Sequence, residues 1–459
     1  MKKDKKKRLL IIALVSTITP IILGVMVFLL FGKNSKDNRD EVNIEIASIE
    51  EIESVSEEET TVPDTTEEET TTDEAEEEPV NKPTSPSELR GVWISYHEWM
   101  EMPSEEAAFK ASVDKMMDRV VELKMNTVYV HVRADADAMY PSSIFPWSAY
   151  ITGTQGKDPG YDPFAYFVEA AHKRNIRIHA WINPYRVSHS DNPWDKVCAD
   201  NPARKYLEDG DSSNDRWVLK QGDNYYFNPA VPEVRQLIVN GVEELVSKYA
   251  VDGVHLDDYF YPVVDDSKAE SCFDKPEYDA SGSSLSIANW RRENVNILLK
   301  DMYATVKSHG QDIEFGVSPA GNLENVRSDR QHFADVDKWL STPGYVDYVM
   351  PQLYWGFEPK RKSGELAAWA YENNLNSWIS INTCDSVKLY VGLPMYIAGT
   401  NVKDNNPVSE WIANDDVIAR QVTYARNTGR VAGYVFYAYS SFQKPEAAKE
   451  VENLMKVFN

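Results

Sequence analysis

Two adjacent carboxylates, Asp257 and Asp258, are the residues of this chain best suited to acid–base chemistry, because they follow an apolar segment and precede aromatic residues. Period-two alternation predicts a strand here, with His255, Asp257 and Tyr259 on one face. Burying a carboxylate at the end of an apolar strand costs free energy unless it is paired or takes part in a reaction. We interpret Asp257 as a nucleophile or transition-state stabiliser and Asp258 as an acid or orienting group, with a structural ion pair as the alternative.

Eight strand-like segments, each followed by a helix-like one, organise residues 87–459. The predicted strands are Gly91–Tyr96, Thr127–Arg133, Arg177–Asn183, Gly253–Tyr259, Ile313–Pro319, Tyr345–Trp355, Lys388–Pro394 and Ala432–Tyr439. The predicted helices are 104–124, 162–175, 232–249, 287–309, 332–341, 364–374, 414–428 and 445–458. Eight alternating units predict an α/β fold, a closed (β/α)8 TIM barrel. A doubly wound open sheet is the alternative, but no Gly-rich phosphate loop follows the first strand.

The loops of the predicted barrel are unequal in length. Each helix reaches the next strand through a short turn, whereas the strand-to-helix loops are long, at about 134–161, 184–231, 260–286 and 395–413. In a TIM barrel, the strand-to-helix loops form the catalytic face. We therefore expect the active site at that end, where Asp257 lies.

Polar and aromatic residues at the ends of the other predicted strands are candidates for substrate binding. Amide and phenol groups can hydrogen-bond a sugar, and Trp355 could stack on a pyranose ring. The alternative is that these side chains pack beneath the long loops. The predicted substrate-binding residues are Trp93, His97, Arg133, Asp135, Asn183, Arg186, His255, Tyr259, Asn322, Gln352, Tyr354, Trp355 and Tyr439.

Three histidines at the middle of neighbouring strands, His131, His179 and His255, raise the question of a metal site. The chain lacks a His-x-His pair and a His-Glu-x-x-His motif, so hydrogen-bonded core histidines are the favoured interpretation. A Gly-x-Ser-x-Gly elbow for serine chemistry is absent as well. We expect no metal and no cofactor.

The amino-terminal sequence predicts a membrane anchor. Residues 1–8 are basic, and residues 9–31 form an uncharged run of 23 residues. Such a run is long enough to cross a bilayer, and the preceding cations keep the N-terminus in the cytoplasm. A cleaved signal peptide is the alternative, although its apolar region is usually about 7–15 residues. We expect a single-pass protein of the cell membrane with an extracellular domain.

Residues 32–86 predict a disordered acidic linker, because they hold 19 Asp and Glu against 4 Lys and Arg and no aromatic residue. The domain at 87–459 remains acidic, and the whole chain has a net charge of −25. This balance excludes a basic nucleic-acid-binding surface. Three cysteines cannot form a disulfide framework, which favours a Gram-positive surface. Nothing indicates an obligate protein partner.

Several motifs resemble the glycosyl hydrolase-like 10 family of bacterial envelope proteins over roughly residues 88–400. They are Leu89–Ile94 (LRGVWI), Ala180–Pro184 (AWINP), Asp252–Pro262 (DGVHLDDYFYP), Gly316–Pro319 (GVSP) and Met350–Trp355 (MPQLYW). The resemblance implies a barrel glycosidase that acts on bacterial glycans, with peptidoglycan strands as the leading substrate class.

The fourth predicted strand is also distantly similar to two glycosidase patterns. In the alpha-amylase-type pattern, Asp257 corresponds to the nucleophile, but His255 replaces an Arg and the fifth strand lacks a terminal Glu. In the chitinase-type pattern, His255 and Tyr259 stand where an inner Asp and the catalytic Glu would be. Both similarities imply a role for Asp257 and leave the second carboxylate open. The candidates for it are Asp258, Glu358, Glu98 and Asp135.

Several functions and mechanisms remain open at this point. Two carboxyl groups about 5–5.5 Å apart would give retention, and about 6.5–9.5 Å would give inversion. An N-acetyl group on the sugar could itself act as nucleophile, with Asp257 orienting it. A non-catalytic glycan-binding barrel, or a hydrolase of another surface or exogenous polysaccharide, is the alternative to a cell-wall hydrolase.

Overall fold

The computed structural model describes residues 82–264, 272–402 and 409–459. The predicted basic tail at 1–8, membrane helix at 9–31 and all of the predicted linker before residue 82 lie outside the described residues. Within the described part of the chain, no helix combines the length and apolar character needed to cross a membrane.

Eleven strands occur in the described residues. They are β1 (Leu89–Ile94), β2 (Thr127–Arg133), β3 (Arg177–Ile182), β4 (Arg186–Ser188), β5 (Val218–Gln221), β6 (Asn224–Phe227), β7 (Gly253–Leu256), β8 (Glu314–Val317), β9 (Tyr348–Val349), β10 (Lys388–Leu393) and β11 (Gly433–Phe436). Eight of them are parallel and close into a barrel in the order β1, β2, β3, β7, β8, β9, β10, β11. The predicted TIM barrel is therefore confirmed.

Helices surround the barrel and occur in the loops at its mouth. The α-helices span Tyr96–Met100, Glu106–Glu122, Ala149–Thr152, Pro163–His172, Pro202–Glu208, Pro232–Lys248, Lys275–Ser281, Ile287–His309, Leu323–Val326, Val336–Trp339, Tyr371–Ile381, Glu410–Ala413, Val417–Asn427 and Ala448–Val457. Short 3-10 helices span Trp194–Lys196, Asp215–Trp217, Met395–Ile397, Tyr439–Gln443 and Pro445–Ala447.

Local signals explain where the longer helices begin. Asp162 caps Pro163–His172 by accepting a hydrogen bond from the Ala165 backbone N–H, with proline in the first turn. Ser286 caps Ile287–His309 in the same way. These helices cover the outside of the barrel because one face of each is apolar.

Two predicted helices differ from the structure. The helix predicted over 364–374 begins too early, since the observed helix spans Tyr371–Ile381. Its buried residues Tyr371, Leu375 and Trp378 recur at helical spacing, whereas the preceding residues form a turn closed by a Lys360–Leu366 bridge. The helix predicted over 332–341 is reduced to Val336–Trp339.

The sixth barrel strand is also shorter than the predicted Tyr345–Trp355. β9 ends at Val349 because Pro351 has no backbone N–H to donate to a ladder. Gln352 then rejoins the sheet through isolated bridges to Ala320 and Gly392. Its side chain is consequently held near the ends of two neighbouring strands.

Large rings fill the interior of the barrel. Trp93, Tyr129, Trp181 and Tyr348 form an inner cluster that is separate from the core between strands and helices. Gly316 on β8 leaves room for the ring of Tyr348, because a Cβ at this position would overlap that ring. The interior is therefore a packed floor beneath the mouth of the barrel.

A second, three-stranded antiparallel sheet forms within the long loop after β3. Its order is β4–β6–β5. β4 begins only a few residues after β3, so this sheet starts at the carboxyl end of the barrel wall. It positions Arg186, the first residue of β4.

Candidate active site

Asp257 follows the last residue of β7 and is the best-anchored carboxylate at the barrel mouth. It is 6% exposed. Trp181 Nε1 donates to Oδ2 at 3.2 Å, and Asn183 Nδ2 lies 3.2 and 3.1 Å from Oδ1 and Oδ2. The backbone N–H of Tyr259 donates to Oδ1 at 3.2 Å. Donors from β3 and from the loop after β7 thus fix the orientation of this carboxylate.

Asp258 is half-buried beside it and is held from the opposite side. The Gln352 side chain hydrogen-bonds the Asp258 carboxylate. Gln352 Nε2 also donates to the Ser318 carbonyl at 3.0 Å, which links the ends of β8 and β9. His332 Nδ1 lies 3.1 Å from the Asp258 carbonyl oxygen. Asp257 and Asp258 thus follow β7 at the carboxyl end of the barrel, and their catalytic roles stay a prediction.

Both carboxyl groups hold protons more tightly than an exposed aspartate. Burial raises the pKa of Asp257 above its ordinary value, and the neighbouring Asp258 adds to the rise. Burial likewise raises the pKa of Asp258. Arg186 and the hydrogen-bond donors oppose these shifts without cancelling them. A pair of this kind can share one proton near neutral pH, as an acid–base catalyst requires.

Arg186 links Asp257 to a buried polar network. Arg186 Nε donates to Asp135 Oδ1 at 3.0 Å and to the Ala134 carbonyl at 2.9 Å. Its guanidinium carbon lies 5.5 Å from the ring centre of Tyr96 and 5.3 Å from that of Tyr259. Arg186 is therefore fixed between two aromatic rings, next to Asp257 and Asp258.

Asp135 is the anion of this network. Burial favours its neutral form, but Arg186 and the hydrogen bonds to His189 and Asn192 prevail and hold its pKa below the ordinary value. Tyr150 OH also donates to Asp135 at 3.0 Å. Asp135 therefore stays ionised, with hydrogen-bond donors on its carboxylate oxygens. It is suited to positioning Arg186 and not to acting as the second catalytic acid.

The central histidines are core residues in the interior of the barrel. Trp93 Nε1 donates to His255 Nε2 at 3.1 Å, and the Tyr348 hydroxyl lies 3.0 Å from His255 Nδ1 and 3.2 Å from His179 Nδ1. His131 stacks on Trp181 with ring centres 3.8 Å apart. Among the described residues, no cluster of His, Cys, Asp or Glu is arranged to hold a metal ion. Trp93 and His255 thus support the site from below.

Arg133 has a different role from the one predicted. A register shift in the β2–β3 ladder between His131 and Arg133 reverses the facing of the strand. Arg133 consequently lies outside the barrel, 4.4 Å from the ring centre of Phe145, and donates to the carbonyl oxygens of Asn183 and Pro184 at 3.4 and 3.3 Å. We therefore assign it to supporting the loop after β3 and no longer to substrate binding.

Glu98, after β1, and Tyr439, after β11, also depart from the predicted roles, whereas the role predicted for His97 stays a prediction. Glu98 is buried and accepts hydrogen bonds from the backbone N–H groups of Ser95 and Ser440, so it joins the loops after β1 and β11. Tyr439 is 7% exposed and packs in the outer core. His97 is exposed, with its ring centre 4.1 Å from that of Tyr96.

The predicted residues after β8 and β9 are divided between the mouth and the loops. Tyr354 is half-buried near Asp258. Trp355 is half-buried, and its carbonyl accepts a hydrogen bond from Gln421. Asn322 caps the helix Leu323–Val326.

Glu358 is exposed, and its backbone N–H donates to the buried Glu410 at 2.6 Å. Glu358 belongs to the loop that follows β9, whereas Asp258 adjoins Asp257 in the chain and its charge raises the pKa of Asp257. Asp258 is consequently the better-placed partner for Asp257.

Sequence reasoning missed several contributors to the mouth. Trp181 is not among the predicted site residues, yet it donates directly to Asp257. Tyr437 and Tyr396 pack at right angles with ring centres 6.0 Å apart, and both lie beside Tyr354. Alternation along β3 and β11 was the available signal for Trp181 and Tyr437.

Comparisons with known proteins agree with this architecture. A family model described as Glycosyl hydrolase-like 10 matches residues 88–411. "Glycosyl hydrolase YngK" of Bacillus subtilis (strain 168) is 35% identical over 381 residues, which cover 78% of this chain and 70% of the relative. "Glycosyl hydrolase DigH" of Escherichia coli (strain K12) is 31% identical over 409 residues, which cover 82% and 88%.

Solved structures show the same fold at low sequence identity. The PgaB (BpsB) glycoside hydrolase domain of Bordetella bronchiseptica has a TM-score of 0.54 at 14% identity, over 80% of this chain and 99% of that one. A beta-galactosidase of Marinomonas ef1 has a TM-score of 0.50 at 10% identity, over 81% and 59%. From the family match and the curated relatives, the chain belongs to the glycosyl hydrolase-like 10 family.

Proposed function

We propose that this protein is a glycoside hydrolase that cleaves bacterial cell-wall glycan, with peptidoglycan strands as the leading substrate. The observation that carries the proposal is the pair of adjacent aspartates at the mouth of the barrel, both with raised pKa values. Glycoside hydrolysis requires one carboxyl group that donates a proton and one that bears charge. The pair supplies both on consecutive residues.

The hydrogen bonds suggest which member has which role. The groups that bind Asp257 are N–H donors from Trp181, Asn183 and Tyr259. These donors fix the orientation of Asp257, although burial outweighs them and raises its pKa to about 7, against about 6 for Asp258. We therefore assign the roles by geometry, because Asp257 is held in place whereas Asp258 is half-buried and more open to a departing group. Asp258 would protonate the departing glycosidic oxygen, while Asp257 stabilises positive charge that develops on the sugar ring or orients an N-acetyl group.

The proposed substrate and location rest on the curated relatives and on the amino-terminal sequence. Both curated relatives are named glycosyl hydrolases and come from bacteria. Residues 9–31 form an uncharged run after a basic start, and an acidic segment follows. We propose that these segments attach the barrel to the outer face of the cell membrane, close to the wall. Fractionation of cells and protease treatment of intact cells would test this location.

The decisive experiment compares purified full-length wild type with Asp257→Asn and Asp258→Asn. Asp385→Asn is the control, because Asp385 is exposed in the turn before β10, at the opposite end of the barrel. Each protein is incubated with peptidoglycan, with and without its stem peptides, and released sugars are identified by mass spectrometry. Release by wild type and by the control but not by the two site variants is expected. Equal release by Asp257→Asn would refute the assignment.

A non-catalytic glycan-binding barrel is the second candidate. It is favoured by the end of β8, where Ser318 and Pro319 occupy the region in which alpha-amylase-type barrels place a Glu. This candidate would be supported if wild type released no sugar and Asp257→Asn bound glycan as well as wild type.

A further inference from the structure

The small sheet at the barrel mouth presents a tyrosine next to the candidate active site. In the β4–β6 ladder, Arg186 is directly opposite Tyr226. Directly opposed residues of antiparallel strands project from the same face of the sheet, and this pair lies just before the register shift that follows Arg186. Tyr226 is half-buried, so part of its surface on this face is open to solvent. The sheet therefore extends the mouth beyond Arg186.

Tyr226 lies near enough to Tyr259 for its hydroxyl to affect the titration of Tyr259. Tyr259 is 46% exposed, and its ring centre is 5.3 Å from the Arg186 guanidinium. Desolvation and the charge of Asp258 raise the pKa of Tyr259 to about 12, and the nearby Tyr226 hydroxyl contributes to the rise. Asn224, two residues earlier on β6, donates to the Tyr226 hydroxyl at 3.4 Å. The side chains of Tyr259, Tyr226 and Asn224 therefore form a row that extends away from Asp258 along the barrel mouth.

The opposite face of β6 serves a structural purpose. Tyr225 alternates with Tyr226, so its side chain projects from the other face of the sheet. Its ring stacks on Trp194 with centres 4.1 Å apart and an interplanar angle of 19°. Tyr225 and Tyr226 are therefore neighbours in sequence with the same side chain and different surroundings, which makes them a matched pair for mutation.

We propose that Tyr259, Tyr226 and Asn224 form an outer sugar subsite, through which the protein binds a glycan chain beyond the two sugars that flank the cleaved bond. The inference rests on the proposed function, and it implies cleavage within long chains. Aromatic faces bury the apolar face of a pyranose ring, and an amide can hydrogen-bond its hydroxyl groups. Arg186 is already paired with Asp135 at 3.0 Å, so the subsite suits an uncharged pyranose.

The test uses the purified full-length chain as wild type, Tyr226→Ala and Tyr225→Ala. The substrates are long peptidoglycan strands freed of stem peptides and the shortest fragment of them that wild type cleaves. For Tyr226→Ala, kcat/KM on long strands should fall about three- to tenfold further than on the short fragment, as expected for the loss of one aromatic contact. Tyr225→Ala should change kcat/KM by the same factor on both substrates. The subsite proposal would be overturned if the loss of kcat/KM on long strands, relative to the loss on the short fragment, were the same in Tyr226→Ala and Tyr225→Ala.

A binding measurement separates failure of the subsite from failure of the proposed hydrolysis. If wild type releases no sugar, hydrolysis fails as a proposal, and cosedimentation with insoluble peptidoglycan then decides about the subsite. Weaker binding by Tyr226→Ala than by Tyr225→Ala would support the subsite. Equal binding by the two variants, or the absence of binding by wild type, would overturn it.

Discussion

Replacing Asn183 by aspartate should disable the catalytic pair while leaving the local backbone in place. The Asn183 Oδ1 accepts hydrogen bonds from the backbone N–H groups of Tyr185 and Arg186 at 3.2 and 2.9 Å, and an aspartate oxygen can still accept them. The Asn183 Nδ2, which lies 3.1 Å from Asp257 Oδ2, becomes an oxygen that cannot donate. The variant thus exchanges a donor to Asp257 for a repelling charge.

The size of the effect follows from the lost hydrogen bond. A hydrogen bond to a charged group contributes about 1.5–3 kcal/mol. If Asn183 stabilises ionised Asp257 in the transition state, its loss lowers kcat/KM by about 10- to 150-fold. The added carboxylate also raises the pKa of both aspartates, because like charges disfavour ionisation. Both limbs of the pH profile should therefore move to higher pH in Asn183→Asp.

The assay is kcat/KM for release of sugars from glycan strands across the pH range, with the melting temperature recorded for each protein. Asn192→Asp is the matched control, since Asn192 Nδ2 donates to the buried Asp135 at 3.0 Å instead of to Asp257. It should lower the melting temperature and move the pH optimum less than Asn183→Asp does, because its new charge faces Asp135 and not Asp257. The reasoning is refuted if folded Asn183→Asp keeps the wild-type optimum, or if Asn192→Asp shifts the optimum equally.

Three further substitutions test the scaffold. Gly316→Ala should lower the melting temperature by several degrees, because the new Cβ overlaps the ring of Tyr348; an unchanged melting temperature would contradict the packing of the interior. Tyr348→Phe should cost about 1–3 kcal/mol of unfolding free energy in urea, since His255 and His179 both lose a buried hydroxyl partner. Burial and the nearby Asp135 raise the pKa of Asp137 to about 7. Between pH about 4 and 7 the folded protein therefore holds a proton that the unfolded chain has lost. The stability of wild type, compared with that of Asp137→Asn, should fall as the pH rises through this range. A pH-independent difference in melting temperature between those two proteins would exclude the raised pKa.

The barrel and the position of the catalytic pair could be predicted from the sequence because both depend on local patterns. Strand and helix periodicity, short turns before each strand and long loops after it are properties of neighbouring residues. Asp257 and Asp258 follow an apolar strand, so their place at the barrel mouth follows once the barrel is inferred. The helix at Tyr371–Ile381 was misplaced, because its start depends on which residues reach the core.

Tertiary structure decided which side chains meet. Asp257 receives hydrogen bonds from Trp181 on β3 and from Asn183 just after it, and these contacts exist because β3 and β7 are adjacent in the closed barrel. A one-residue irregularity in β2 turned the Arg133 side chain out of the barrel. Such a bulge moves each later residue of the strand to the face opposite to the one that alternation predicts. The placement of Tyr226 beside Arg186 depends on antiparallel pairing within a long loop, and period-two alternation cannot specify a pairing partner. The sequence by itself thus determined the barrel and the position of Asp257 and Asp258 at its mouth, while long-range pairing decided which side chains surround them.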